Sequence, residues 1–198
     1  MVLKRYLPSS LVDAIVRGEQ TLSFEPSTQP LTVLFADLCG FTSNTQSLLA
    51  THMAELLNEY LVCMTRVVFA HGGTVDKFIG DSVMVVFGAP EPMPGQDQAR
   101  RAVACALEMQ VVMAELNARW EQQGLPAMQM RVGVHHGPCV VGNAGGDERM
   151  EYTAIGSTVN IASRIEGVCP PGAVLVSREV GDYLPGGSVK LAGDFELK

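Results

Sequence analysis

The sequence lacks the excess of basic residues that would mark a nucleic-acid-binding protein. Its 198 residues include 14 Lys or Arg against 21 Asp or Glu, which gives a formal charge of −7. General nucleic-acid binding needs a basic surface, so we predict no nucleic-acid partner. An acidic protein can still bind a polyphosphate locally, provided that metal ions offset the negative charge.

Cysteine pairs and long apolar runs are also missing. The five cysteines are odd in number, scattered, and without CxxC spacing, which argues against a disulfide framework or a zinc site. No apolar run is long and uninterrupted enough to span a bilayer, and residues 1–18 mix charges into their apolar residues, unlike a signal peptide. These absences predict a soluble cytoplasmic domain with reduced thiols.

What is present suits one compact domain, because 47% of the residues are hydrophobic. We expect residues 1–30 to be a lead-in with a short helix and residues 31–198 to form the domain. The final "KLAGDFELK" is typical of the start of a strand, which suggests that the C-terminal end is truncated.

The periodicity of the domain predicts a succession of strands and helices. We expect a buried strand over 31–37, a helix over 42–71 and a hairpin whose type II′ turn contains Gly80 and Asp81. A helix over 98–123 follows, capped by Asp97, and its core face is expected to contain Val103, Leu107, Val111, Met113 and Leu116. A second hairpin is expected around 136–137, then a strand over 151–156, a helix over 157–168 capped by Ser157, and a strand over 172–177.

This order predicts an α+β fold with a ferredoxin-like βαββαβ core. The sheet is expected to be mostly antiparallel and flanked by helices, with an αβ extension at the C-terminal end.

Two acids occupy similar positions at the ends of predicted strands. Asp37 ends the first strand in "FADLCGFTS", and Asp81 lies at the tip of the hairpin in "KFIGDSVMVVFG". They can meet if the hairpin pairs beside that strand, and a hard divalent cation would relieve their repulsion. The "GFTS" stretch opens a helix whose free N–H groups suit a phosphate. Alternatively, Asp37 is only a helix cap and Asp81 only a turn residue.

Four further residues indicate a binding site only when they are considered together. Asn160 and Arg164 are four apart in "VNIASR", so they share one helix face. Such a pair could bind a sugar and a phosphoryl oxygen, or could be a capping residue and a solvated cation. Lys77 and Thr153 are equally compatible with ordinary strand positions.

Four motifs in order resemble the catalytic domain of class III nucleotidyl cyclases. They are "LTVLFADLCGFT", "GGTVDKFIGDSVMVVFG", "RVGVHHGPCVVGNAG" and "YTAIGSTVNIASR", and the resemblance covers about residues 31–177. It implies that the domain over 31–198 is catalytic. It also implies that Thr153, where many members have Asp, places the chain in the bacterial Thr-bearing class IIIb, some of whose members respond to bicarbonate.

The resemblance also implies roles for individual residues. The metal ligands for two Mg²⁺ or Mn²⁺ ions would be Asp37, Leu38 and Asp81. Substrate contacts would come from Lys77, Thr153, Phe41, Thr42 and Arg149, with Lys77 and Thr153 reading the purine. The catalytic pair would be Asn160, which positions the ribose, and Arg164, which stabilises the transition state.

The implied reaction is the conversion of ATP to 3′,5′-cyclic AMP and pyrophosphate by a two-metal mechanism. The implied assembly is a head-to-tail homodimer with shared sites, whose longer parent could carry a sensor or membrane segment. Two alternatives stay open: a guanylate cyclase, which Lys77 disfavours, and a catalytically silent nucleotide-binding or regulatory module. A diguanylate cyclase is disfavoured because no GGDEF-like stretch lies on the hairpin.

Overall fold

The computed structural model describes residues 16–18, 25–45, 48–146 and 149–196. The strands are β1 (Ser27–Leu38), β2 (Thr74–Ile79), β3 (Ser82–Phe87), β4 (Met130–Gly146), β5 (Arg149–Ile155) and β6 (Val174–Val176). The helices are α1 (Phe41–Asn44), α2 (Ala50–Ala70), α3 (Gly95–Gln122), α4 (Ser157–Val168) and α5 (Arg178–Gly181). Most of the predicted lead-in, including its helix, lies outside the described residues.

The strands form one sheet in the order β2-β3-β1-β4-β5, and every neighbouring pair in that order is antiparallel. This arrangement confirms the ferredoxin-like core. The short strand β6 pairs with β4 in parallel, which makes the sheet mixed. The αβ extension is therefore a parallel addition to the core.

Strand β1 is buried on both faces from Leu31 to Ala36, which explains why all of these residues except Thr32 are apolar. Leu34 and Leu38 belong to a hydrophobic cluster with α2 and α3, whereas Val33 and Phe35 belong to a second cluster with β5 and α4. Because successive side chains of a strand alternate between faces, a strand covered on both sides needs apolar residues at consecutive positions.

The core face of α3 differs from the predicted one. Met113 and Leu116 are buried as expected, but Leu107 and Val111 are 56% and 59% exposed. The buried stripe instead begins with three alanines and continues with larger residues: Ala99, Ala102, Ala106, Met109, Met113, Leu116 and Trp120. The prediction was wrong because it counted the large aliphatic residues and overlooked alanines, which let the helix approach the sheet closely.

The predicted hairpin around 136–137 is wrong. Strand β4 continues through this point, since His136 pairs with Thr32 and Gly137 with Leu31 of β1. The glycine serves close packing: a Cβ atom at Gly137 would lie 2.8 Å from Oγ1 of Thr158 on α4. The turn signal therefore marked a tight contact between strand and helix.

Several boundaries also need correction. The predicted helix over 42–71 is two helices, α1 and α2, and the caps of α3 and α4 are Pro94 and Gly156 in place of Asp97 and Ser157. Residues 190–196 form no strand. Within the described part of the chain, none of the helices combines the length and apolar character needed to cross a membrane.

Candidate functional site

The first group of candidate residues meets where β1 ends. The register places Ala36 opposite Val83, which brings the hairpin turn beside Asp37 and confirms that the hairpin pairs next to β1. Gly80 has φ of 65°, and no described non-glycine residue has a positive φ, so the turn matches type II′. Burial, and next the negative charge of Asp81, raise the pKa of Asp37.

Arg131 lies on β4 directly opposite Asp37. Its Nη2 is 3.2 Å from Oδ2 of Asp37, and its Nε forms an ion pair with Oε1 of Glu166 on α4. Two carboxylates thus contact one guanidinium, and the charges of both Asp37 and Asp81 contribute to raising the pKa of Glu166, after burial itself. Asp37, Asp81, Arg131 and Glu166 together form a group that we call the carboxylate cluster.

Gly133 explains why α4 comes close enough to complete this cluster. A Cβ atom at that position would lie 2.2 Å from the backbone N of Glu166 and 2.8 Å from the backbone O of Ala162. Only a residue without a side chain permits this separation, so the contact between β4 and α4 fixes Glu166 next to Arg131.

The donor set of the carboxylate cluster fits a hard divalent cation. Asp37 and Asp81 supply carboxylate oxygens, whereas the Leu38 side chain is buried in the core and leaves only its carbonyl oxygen. Among the described residues, no three His, Cys, Asp or Glu side chains converge as a metal site. Mg²⁺ is commonly held by one or two carboxylates, with water and substrate phosphates completing its shell, so two acids are sufficient.

A second group brings Lys77 and Thr153 together through Asp76. Oδ2 of Asp76 accepts a hydrogen bond of 2.8 Å from Oγ1 of Thr153 and lies 3.5 Å from Nζ of Lys77. Its other oxygen, Oδ1, accepts a bond of 3.1 Å from the backbone N of Ala154. Lys77 also lies 3.4 Å from Oε2 of Glu151. We call Asp76, Lys77, Thr153 and Glu151 the lysine cluster.

Asn160 and Arg164 lie on one face of α4, as predicted, and both are exposed. The opposite side of the helix is buried through Ala162 and Ile165. Within the described residues, neither side chain makes a hydrogen bond or ion pair to the other two groups. The pair is therefore directed away from the core.

For the remaining predicted residues, the structure gives the position along the backbone. Gly40 precedes α1 with φ of 69°, and the side chain of Phe41 is buried in the core, so only its backbone could face a ligand. Thr42 lies in the single short turn of α1. Arg149 begins β5 opposite Gly146.

Sequence reasoning missed Asp76, Arg131 and Glu166. Asp76 could have been found from the sequence, because it is an acid within a mostly apolar strand and precedes a lysine. Nothing in the sequence marks Arg131 and Glu166, because their contacts arise from the packing of β4 against β1 and α4.

The profile of the adenylate and guanylate cyclase catalytic domain matches residues 24–198. The chain belongs to this family. The structural neighbours of this cyclase domain are themselves cyclase catalytic domains, which also agrees with the α+β architecture described above.

Three relatives show how the cyclase domain compares with known proteins. Adenylate cyclase 1 of Rhizobium meliloti is 33% identical over 197 residues, which cover 95% of this chain and 29% of the relative. The adenylyl cyclase CyaB from P. aeruginosa is 41% identical with a TM-score of 0.78, covering 80% of this chain and 82% of that structure. The guanylyl cyclase Cya2 is 39% identical with a TM-score of 0.76, covering 80% and 79%.

The chain spans about a third or less of the length of the first curated relatives that it matches. The matched segment corresponds in each case to a part of a longer protein.

Proposed function

We propose that this chain is an adenylate cyclase catalytic domain that converts ATP to 3′,5′-cyclic AMP and pyrophosphate. The observation that carries the proposal is the convergence of Asp37 and Asp81 at the end of β1. The similarity to Adenylate cyclase 1 along 95% of the chain supports adenine as the base, as does the placement of Lys77 beside Thr153 in the lysine cluster.

In the reaction, the 3′-hydroxyl oxygen of ATP forms a bond to the α-phosphorus and gives up its proton to solvent. The bond from that phosphorus to the bridging oxygen breaks, and pyrophosphate leaves with that oxygen. Two divalent ions, Mg²⁺ or Mn²⁺, supply charge neutralisation when bound. Asp37 and Asp81 would hold these ions, with the Leu38 carbonyl as a further oxygen ligand. Arg149 and the backbone of Phe41 and Thr42 are proposed to complete the phosphate contacts.

The exposed pair on α4 acts on the sugar and the reacting phosphate. Asn160 orients the ribose, which reduces the entropic part of the barrier. Arg164 offers a planar, permanently charged fork to the oxygens of the α-phosphate. A transition-state contact of this kind is typically worth roughly 3–4 kcal/mol, or 10²–10³-fold in rate.

We propose that each active site is shared by two copies of the chain in a head-to-tail homodimer. The carboxylate cluster would come from one copy, and Lys77, Thr153, Asn160 and Arg164 from the other. This proposal is supported by the exposure of Asn160 and Arg164 and by their lack of a bond to Asp37 or Asp81 among the described contacts. Two-fold closure then gives two equivalent sites.

Three finer features belong to the same proposal. Thr153 is proposed to place the chain in the Thr-bearing subgroup, with bicarbonate as a candidate regulator. The domain itself is proposed to be cytoplasmic. A sensor or membrane anchor elsewhere in a longer protein is compatible with the lengths of the relatives.

The test is complementation between two inactive variants. Asp81→Asn and Arg164→Ala each damage a different half of the shared site, so each alone should lose cyclic AMP formation from ATP by about 100-fold or more. Mixed in equal amounts with free exchange, half of the dimers are mixed and each has one intact site. The mixture should therefore recover about a quarter of the wild-type activity.

The matched control mixes Asp81→Asn with Asp37→Asn, which damage the same half and should stay inactive together. Absence of recovery in every mixture would contradict the shared site. Because the guanylyl cyclase Cya2 is 39% identical, a guanylate cyclase is the second candidate, and GTP is assayed in parallel. Predominant cyclic GMP from the wild type would replace the first proposal by the second.

A further inference from the structure

Asp76 is the extra residue of a β-bulge. Val75 pairs with Val85 and Lys77 pairs with Met84, so no residue of β3 lies opposite Asp76. In a regular strand, adjacent side chains point to opposite faces, whereas a bulge re-aims one of them. The bulge allows Asp76 and Lys77 to share one side, with Oδ2 only 3.5 Å from Nζ.

The carboxylate of Asp76 is fully engaged where it lies. Its side chain is 2% exposed, and its partners are the hydroxyl of Thr153, the backbone N–H of Ala154 and the ammonium of Lys77. All three are donors, so the contacts suit the ionised carboxylate, which can only accept. The single proton of the Thr153 hydroxyl is thereby committed to Asp76.

This commitment determines what Thr153 can offer to a ligand. A threonine hydroxyl has one proton to donate and two lone pairs to accept with. With the proton directed at Asp76, the oxygen faces any further partner as an acceptor only. Free rotation would have let the same hydroxyl donate or accept.

We propose that Asp76 is a positioning residue for base selection, because it holds the Thr153 hydroxyl as an acceptor for the amino group of adenine. The inference rests on the proposed function, in which Lys77 and Thr153 face the base. Adenine carries an amino donor at position 6 where guanine carries a carbonyl acceptor. An acceptor held opposite the guanine carbonyl leaves both oxygens without a donor, which disfavours GTP.

Lys77 alone does not achieve this selection. Its ammonium has three donors and no acceptor, so it can bond to a ring nitrogen of adenine or to the carbonyl oxygen of guanine. Discrimination at position 6 therefore depends on the direction of the Thr153 hydroxyl.

Asp76→Asn tests the proposal by reversing that direction. The backbone N–H of Ala154 can only donate, so it retains the oxygen of the new amide and turns the amide nitrogen toward Thr153. The hydroxyl then accepts from the amide and releases its proton toward the base. We expect the ratio of kcat/KM for ATP to that for GTP to fall about 10-fold or more.

The matched control is Glu151→Gln, which removes the other carboxylate near Lys77 and leaves the Asp76 acceptor of the Thr153 hydroxyl in place. Its ratio should stay within about 2-fold of the wild type. Thr153→Ser retains the hydroxyl and should keep the preference, whereas Thr153→Val should lose it. In the Thr153→Val background, Asp76→Asn should no longer change the ratio.

Equilibrium binding of ATP and GTP, measured by calorimetry, gives the same ratio without turnover. Loss of the ATP preference in Asp76→Asn, with its retention in Glu151→Gln, supports the positioning role even in a protein that makes no cyclic nucleotide. An unchanged ratio in Asp76→Asn overturns the role while the cyclase function stands. A wild type without preference, or without binding, overturns it as well. If Asp76→Asn does not fold, the two Thr153 variants decide the outcome. Equal ATP-to-GTP ratios in Thr153→Ser and Thr153→Val overturn the proposal, whereas an ATP preference that only Thr153→Ser keeps supports it.

Discussion

The carboxylate cluster and the lysine cluster differ in how their negative charge is balanced. In the first, Arg131 is the one cation, among the described residues, that contacts Asp37 and Glu166, and Asp81 adds a third acid, so negative charge remains in excess. In the second, Lys77 lies between Asp76 and Glu151, and both oxygens of Asp76 accept hydrogen bonds. The first arrangement is suited to receiving cations, and the second to holding a fixed hydrogen-bonding pattern.

The difference follows from the way each cluster is held. The carboxylate cluster depends on the close approach of α4 to β4, whereas the lysine cluster depends on a bulge in β2 and its contact with β5. A substitution in one cluster should therefore change the free energy of unfolding by a different amount than a comparable substitution in the other cluster or at a control position.

The largest effect is expected for Gly133→Ala. Its Cβ would meet the backbone of α4, which cannot rotate away, so the helix must move and separate Glu166 from Arg131. We expect the free energy of unfolding, measured in urea, to fall by about 3 kcal/mol. Gly137→Ala is the control on the same strand, because its Cβ meets the Thr158 side chain, and it should cost about 1 kcal/mol. Equal losses would show that α4 adapts as easily at both positions.

A smaller effect is expected for Arg131→Gln, which leaves Asp37 and Glu166 without their cation. The loss should be about 2 kcal/mol, reduced from that of a fully buried pair because the Arg131 side chain is 31% exposed. Arg119→Gln breaks an exposed ion pair with Glu59 and should lower the free energy of unfolding much less than Arg131→Gln does, because solvent screens exposed charges. Mg²⁺ should raise the Tm of Arg131→Gln more than that of the wild type. An equal Mg²⁺ response in both would argue against an excess of negative charge.

The smallest effect, opposite in sign between the clusters, is expected from two Asp→Asn substitutions. Burial raises the pKa of Asp76, but Asp76→Asn places an amide donor where an oxygen accepts from Thr153 and faces Lys77, so the free energy of unfolding should fall by about 1 kcal/mol. Asp81→Asn removes a charge that repels Asp37, so the metal-free protein should gain up to about 0.5 kcal/mol. Chemical denaturation in the presence of a chelator measures both. A loss of stability in Asp81→Asn would mean that its carboxylate has stabilising partners that outweigh the repulsion.

The features that sequence reasoning predicted correctly are those with a local signal. The apolar run of β1, the Gly80–Asp81 turn and the shared face of Asn160 and Arg164 each depend on neighbours within a few residues. The convergence of Asp37 and Asp81 was predictable too, because a tight hairpin has few places to pair. The break between α1 and α2 and the continuity of β4 were not predicted. In β4 the reason is that a glycine next to a histidine looks the same in a turn and in a packed strand.

The sequence by itself determined the family and the α+β core, and it supplied the metal, base and phosphate residues that we propose. Only the tertiary structure decided which neighbours those residues have. Arg131 is 94 positions from Asp37, and Thr153 is 77 positions from Asp76, so nothing local records either contact. Hydrogen bonds and ion pairs act over a few ångströms in space, whatever the separation along the chain.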